Sequence, residues 1–350
     1  MRRYVKLLEE RGLLRRLDAP LRARRGDTEL QALMTLLQRT DGPGLMLNGV
    51  EGLNTQGLPV LFNPFGSHER TALMLGAETW NEARERYVRV AADPSTWHAP
   101  VVVPRAGAPC QEEVIRDVDL RRDLPHLWFG KEGASFVTGA VVITRDPETG
   151  QRNVGWYRLT SFVDASHPRG GTYREELAKK FLAGFFWWNP PMNGIGRHIA
   201  DAVRRGRRLE VACAVMCSPA VHVAGTTTLP HGVDELAFAG GLEGRPIELV
   251  QCETVDLQVP ANAEWVIEGH VVPEQQECVG WHSNWIGYYD EAHLLPLLEV
   301  SCITKRRDAM WYATVEMMPP FDHVYLGVMT VEVELLKDLA WTELVRFAED

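Results

Sequence analysis

"VVITRDPETGQRNVGWYRLTSF", residues 141–162, decides the fold of this chain. Two runs rich in β-branched and aromatic residues flank Asp146-Pro147-Glu148-Thr149-Gly150, a stretch with turn chemistry. The pattern predicts an antiparallel hairpin. Its second strand is unusual, because Asn153 and Arg158 stand five residues apart with Gly155 between them. A strand that only packs alternates apolar and polar residues and rarely needs a glycine.

Working outward, strand-like runs dominate from about residue 111. They are "SFVTGAVVITRD", "LEVACAVMCS", "PIELVQCETVDLQVP", "EWVIEGHVV", "LLEVSCITKR" and "AMWYATVEM". Helices are expected near 173–186, 194–206 and 232–240. Strands joined by local turns predict an antiparallel barrel or sandwich. Residues 1–100 read as α/β. A first helix falls around Leu7, Leu8 and Leu13, and "DTELQALMTLLQR" (27–39) is a second, with Asp27 as its N-cap. Short strands follow at Leu45–Leu47 and in "LPVLFNPFGS", then helices in "ERTALMLG" and "TWNEARERYVRVAAD". Pro100, Pro104, Gly107 and Pro109 mark a boundary. The fold class is α+β, with an N-terminal α/β domain over 1–110, a barrel domain over 111–325 and a connecting helix over 326–350.

The chain of 350 residues carries 37 basic and 47 acidic side chains, a net charge of −10. That balance argues against nucleic acid or an anionic membrane as partner. The basic run Arg204-Arg205-Gly206-Arg207-Arg208 suits a helix C-terminus. No run of 18 apolar residues occurs, and the charged N-terminus lacks a secretory apolar core. Six scattered cysteines without a CxxC pair read as reduced thiols in a cytoplasmic protein. Trp156, Trp187, Trp188, Trp265, Trp281 and Trp285 either fill the barrel core or line a pocket for a flat substrate.

"PVLFNPFGSHERTALMLG", "VVITRDPETGQRNVGWYR", "LPHGVDELAFAGGLEGRPIELVQCETVDLQVPANAEWVIEGHV" and "IGYYDE" together resemble the UbiD-type decarboxylases. The likeness runs from residue 1 to about 348, and 229–270 is its most specific part. It implies a central split β-barrel of flavin-reductase type that binds prenylated FMN (or FMN) with Mn²⁺ or Mg²⁺, and K⁺ as a further cation. It also implies a C-terminal pairing domain, and the chain ends where the connecting helix would lead into it.

By the same resemblance Asn153 is a metal ligand and Arg158 faces the substrate. A bulge at Gly155 is expected to turn both toward one pocket. An Asn oxygen suits a hard cation that bridges to phosphate. An Arg offers a planar fork to a carboxylate. Glu235, in "GVDELAFAG", takes the family's metal-carboxylate position and is expected to share that cavity with Asn153 and Arg158. The family's third ligand, a His, falls in "PMNGIGRHIADAV" on Asn193 or Gly194, while His198 is expected to point elsewhere. The family's two catalytic acids fall on Val279 and Asn284, and Glu277 and His282 stand nearby as replacements, His282 as proton donor near neutral pH.

The resemblance thus implies a prenylated-FMN-dependent (de)carboxylase for an α,β-unsaturated or aromatic carboxylic acid. Arg158, Glu277 and His282 would be catalytic. Asn153, Arg158 and Glu235 would border the cofactor, and Asn153, Glu235 and Asn193 the metal. The alternative is a divergent flavin protein or a non-catalytic partner subunit. The assembly expected is a homodimer or a hetero-oligomer with a UbiD-like subunit.

Overall fold

The computed structural model describes residues 1–130, 132–163, 175–186, 191, 193–229, 232–279, 282–284, 288–290, 293–315, 322 and 324–327, with backbone alone at 273, 274 and 277–279. The run expected to form a helix over 328–350 lies outside the described residues, as do Trp187, Trp188, Trp281 and Trp285.

The N-terminal part is a four-stranded sheet with helices packed on it. Its strand order is Leu14–Leu17, Gly44–Leu47, Val60–Phe62 and Trp311–Tyr312. Helix Arg2–Glu10 buries Tyr4, Val5 and Leu8 against it. Helix Trp80–Ala92 starts with a capping box, Thr79 accepting from the Glu82 amide. Helix Glu29–Arg39 starts one residue later than expected, with Thr28 at its N-cap. Asp27 is not the cap, because its carboxylate accepts from the Arg24 amide and closes the preceding turn. Trp311–Tyr312, expected in the barrel, instead pairs parallel to Val60–Leu61. Both rings are fully buried there.

The central part is an antiparallel circuit of six strands. In order they are Phe181–Gly184, Arg152–Ser161, Ser135–Arg145, Leu209–Val215, Trp265–Val279 and His293–Lys305. Phe181–Gly184 pairs with Arg152–Ser161 on one side and with His293–Lys305 on the other, which closes the circuit. Glu113–Ile115 adds to the far end of His293–Lys305. Together the two parts make a mixed α+β fold.

Three helices pack against these strands: Gly194–Arg204, Pro219–Thr226 and Glu235–Glu243. The sequence reading did not expect Pro219–Thr226. Five of its eight residues are buried, Ala220 to Ala224, so no amphipathic stripe betrays it. Among the described residues no helix is long and apolar enough to cross a membrane. Cys110, Cys213, Cys217, Cys252 and Cys302 are buried free thiols.

The hairpin forms as expected, with Thr144 opposite Asn153 and Val142 opposite Gly155. The irregularity lies elsewhere than at Gly155. It falls between Val137 and Ala140 on the first strand, across from Arg158. Gly155 serves a different need: a Cβ there would sit 2.3 Å from Cε2 of Tyr157, whose ring folds back over it. Gly139, within the irregular stretch, leaves room for the ring of Tyr312 in the same way.

Two predictions follow from this packing. Gly155→Ala pushes Tyr157 off its seat and destabilises the protein by about 1–3 kcal/mol in urea unfolding; an unchanged midpoint contradicts the ring-over-glycine contact. Asp322 is buried and accepts from the Phe65 amide at 2.7 Å and the Tyr312 hydroxyl at 3.0 Å. Burial pushes its carboxyl up to about 7. A carboxyl whose folded value lies above the unfolded one, about 3.9, contributes stability at low pH that is lost as pH rises through about 7. The stability of the wild type relative to Asp322→Asn therefore falls between pH 4 and pH 8; a flat or rising difference contradicts it.

Candidate functional site

Asn153 leaves the second hairpin strand toward a cavity of about 430 Å³, within the range of small-molecule sites. Asn193 and Glu235 line the same cavity. The Asn153 carboxamide oxygen fills the place a Cβ on residue 194 would take, 1.7 Å from it, so a side chain there would displace Asn153. Its amide nitrogen is buried without a hydrogen-bond partner among the described residues. A half-turn of the amide exchanges oxygen and nitrogen, so either atom can face the cavity.

Asn193 is the N-cap of helix Gly194–Arg204, its oxygen accepting from the Gly196 amide at 2.8 Å. A carbonyl oxygen has a second lone pair, so the cap does not exhaust it. Glu235 opens helix Glu235–Glu243, behind the capping residue Asp234. Burial, with the neighbouring Asp234 charge, pushes the Glu235 carboxyl up to about 7. Its Oε2 is buried without a partner among the described residues. Asp234 itself is held by Arg152 at 2.7 Å.

Two helix N-termini therefore open on one cavity, and both favour an anion. Arg152, Arg197 and the Thr226-Thr227-Thr228 run add cationic and hydroxyl groups. His198 also lines this cavity, contrary to expectation, with Nδ1 2.8 Å from the Thr144 hydroxyl. Helix Gly194–Arg204 packs on the hairpin strands and so carries His198 inward. Among the described residues no three His, Cys, Asp or Glu side chains form a cation site. A cation here would rest on the oxygens of Asn153, Asn193 and Glu235.

Arg158 does not join them. Side chains alternate along a strand, and with no bulge at Gly155 the residues 153 and 158 leave on opposite faces. The Arg158 guanidinium lies between two aromatic faces, 4.8 Å from the Phe136 centroid and 4.7 Å from that of Phe185. Each ring comes from a strand that flanks Arg152–Ser161 or its immediate end. Arg158 Nη1 donates to the Ser283 carbonyl at 2.5 Å.

His282 meets the same two rings, at 4.8 Å from Phe185 and 6.4 Å from Phe136. It is buried, with Nε2 3.9 Å from an Asp290 oxygen. Arg158 and His282 are thus brought together. The expected common cavity for Asn153, Arg158 and Glu235 is not formed by its described lining, which lacks Arg158. The Glu277 backbone pairs with Leu295, and its side chain lies outside the described residues. Val279 pairs with His293. Asn284 closes the turn, donating to Asp290 at 2.8 Å and accepting from the Tyr288 amide.

The sequence reading missed Glu132, Phe136 and Phe185. Glu132 is 4% exposed and accepts from the Ser283 hydroxyl. Its signal was an acidic residue set among glycines and apolar residues, "FGKEGASF", just before a buried strand. A larger cleft of about 810 Å³ lies beside helix Arg2–Glu10, but Arg2, Lys6 and Arg245 there already pair with acidic neighbours.

The same architecture recurs in known proteins. The N-terminal domain of 3-octaprenyl-4-hydroxybenzoate carboxy-lyase matches residues 5–88, and its Rift-related domain matches residues 101–319. An uncharacterized protein of Aquifex aeolicus is 34% identical over 95% of this chain and 67% of its own length. The UbiD-class enzyme HmfF from Pelotomaculum thermopropionicum, in an evolved dimeric form in complex with prFMN, is 29% identical with a TM-score of 0.82 over 96% of this chain and 71% of that one. HmfF is also known in complex with FMN. The apo 3,4-dihydroxybenzoic acid decarboxylase of Enterobacter cloacae is 25% identical with a TM-score of 0.81, over 96% of this chain and 68% of that one. This chain spans about two thirds of the length of such relatives. With both domain models matched in order along the chain, and the fold shared with solved UbiD-class enzymes, this protein belongs to the UbiD family.

Proposed function

We propose that this protein is a prenylated-FMN-dependent carboxy-lyase acting on an aromatic or α,β-unsaturated carboxylic acid. The observation that carries the reading is a pair of buried polar atoms, on Asn153 and Glu235, that have no partner among the described residues and line one cavity with two helix N-termini. Such atoms cost about 1–3 kcal/mol each when left unsatisfied, which favours a site built for a ligand. The prFMN and FMN complexes of HmfF support a flavin as that ligand.

In this reading the closed six-strand circuit is the split β-barrel of flavin-reductase type. Asn153, Glu235 and Asn193 would hold Mn²⁺ or Mg²⁺, since their oxygens suit a hard cation, and the cation would supply positive charge for an anionic cofactor. When bound, the prenylated flavin supplies the electron-accepting framework for exchange of CO₂. The protein supplies the rest. Arg158 receives the substrate carboxylate, and Phe136 and Phe185 restrict the plane of its guanidinium by contact and keep water from it. His282, buried against the same rings with Asp290 nearby, holds the proton for the carbon that exchanges CO₂. Glu277 is the second candidate for that role. The dimeric form of HmfF supports a homodimer.

Reconstitution with prenylated FMN and Mn²⁺ tests this. The loaded protein is expected to show a flavin spectrum and to release CO₂ from cinnamate-like or aryl acids. Bound flavin without CO₂ from any such acid contradicts the carboxy-lyase reading and favours a divergent flavin protein. Arg158→Ala is expected to lower turnover by 10²-fold or more. Arg158→Lys does not restore it, because one ammonium cannot replace the planar fork. Removing the cation with EDTA is expected to weaken flavin retention by about tenfold; unchanged retention contradicts a cation at Asn153 and Glu235.

A further inference from the structure

A guanidinium that receives a carboxylate needs two things fixed: the plane it lies in and its rotation within that plane. Phe136 and Phe185 pack on the Arg158 guanidinium and restrict its plane by contact. Its Nη1 bond to the Ser283 carbonyl, at 2.5 Å, fixes the rotation. Ser283 must then itself be held. Its backbone pairs with Tyr289, and among the described residues this ladder is His282–Ser283 with Tyr289–Asp290. The side chain supplies a stronger hold, because its hydroxyl donates to Glu132 Oε1 at 2.5 Å. Glu132 and Ser283 are 4% and 1% exposed, so this bond is shielded from water.

The choice of residue is informative. A buried carboxylate is costly unless it is paired, and a serine hydroxyl can be held by a neutral acceptor. A charged acceptor makes a bond roughly twice as strong. Glu132 stands four residues before Phe136 in the same segment, which enters strand Ser135–Arg145. One segment therefore restricts the plane of Arg158 directly and sets its rotation through Ser283.

We propose that Glu132 is a positioning residue for Arg158, acting through Ser283 to hold the guanidinium ready for a carboxylate. The inference rests on Arg158 receiving a carboxylate, as argued above. It needs no group transfer, only that the Glu132–Ser283–Arg158 chain act as a unit.

The test uses the flavin- and Mn²⁺-loaded protein with benzoate as probe, by calorimetric titration. Glu132→Gln and Ser283→Ala are each expected to weaken benzoate binding about five- to tenfold and to leave flavin retention unchanged. The double variant is expected to lose no more than either single one, and Ser283→Thr, which keeps the hydroxyl, to recover most of the loss. In an Arg158→Ala background Glu132→Gln has no further effect. Benzoate affinity within twofold of wild type in Glu132→Gln, losses that multiply in the double variant, or a parallel loss of flavin each overturn the proposal. Amide hydrogen exchange on the protein as purified keeps this separate from the functional reading. If the wild type takes up no benzoate, the carboxylate role of Arg158 fails. Faster exchange at 282–284 in Glu132→Gln then still supports the Glu132–Ser283 hold, and unchanged exchange overturns it.

Discussion

Strand Arg152–Ser161 is paired on one edge from Arg152 to Ser161 and on the other at Leu159–Ser161, and that pairing is the constraint on which the site depends. Ser135–Arg145 fixes one edge and Phe181–Gly184 the other. A one-residue slip would move every side chain to the opposite face. With the register locked, Asn153 meets the cavity of Glu235, and Arg158 meets Phe136 and Phe185. The two halves of the candidate site are therefore one strand seen from its two sides. The irregularity at Val137–Ala140 absorbs the local mismatch on the neighbouring strand and leaves the alternation on Arg152–Ser161 intact.

Small residues make this arrangement possible. Gly155 accepts the Tyr157 ring, Gly194 accepts the Asn153 carboxamide and Gly139 accepts the Tyr312 ring. Through Tyr312, which lies in the N-terminal sheet and bonds Asp322, the outer sheet is keyed to the circuit. The N-terminal helix is keyed as well: Arg2 grips the fully buried Glu264 carboxylate at 2.7 and 2.8 Å. Charge-assisted pairs of this geometry are strong only when every partner is present, so the two parts support each other.

Much of this was legible in the sequence, for physical reasons that differ from residue to residue. Asp146 to Gly150 is a local turn, so the hairpin could be read directly. Asp234 before Glu235 is a local cap, so the helix start at the cavity could be read too. The family resemblance pointed to Asn153, Asn193 and Glu235, and the structure brings these three to one cavity. What failed depended on contacts distant in sequence. Gly155 was read as a bend in the backbone when it is room for a ring. Pro219–Thr226 is buried on nearly all sides and carries no period. Arg158 finds its partners at Phe136, Phe185 and Ser283, none of which its own strand could reveal.

Asn153 and Arg158 leave one strand on opposite faces, and we propose that they serve different ligand groups for that reason. Paired binding titrations of Asn153→Ala and Arg158→Ala, with FMN plus Mn²⁺ and then with benzoate, test it most directly. The account predicts a crossed result: Asn153→Ala loses flavin affinity, while Arg158→Ala keeps the flavin and loses the carboxylate. Equal loss of flavin in both variants would place the two side chains in a single pocket and contradict the account.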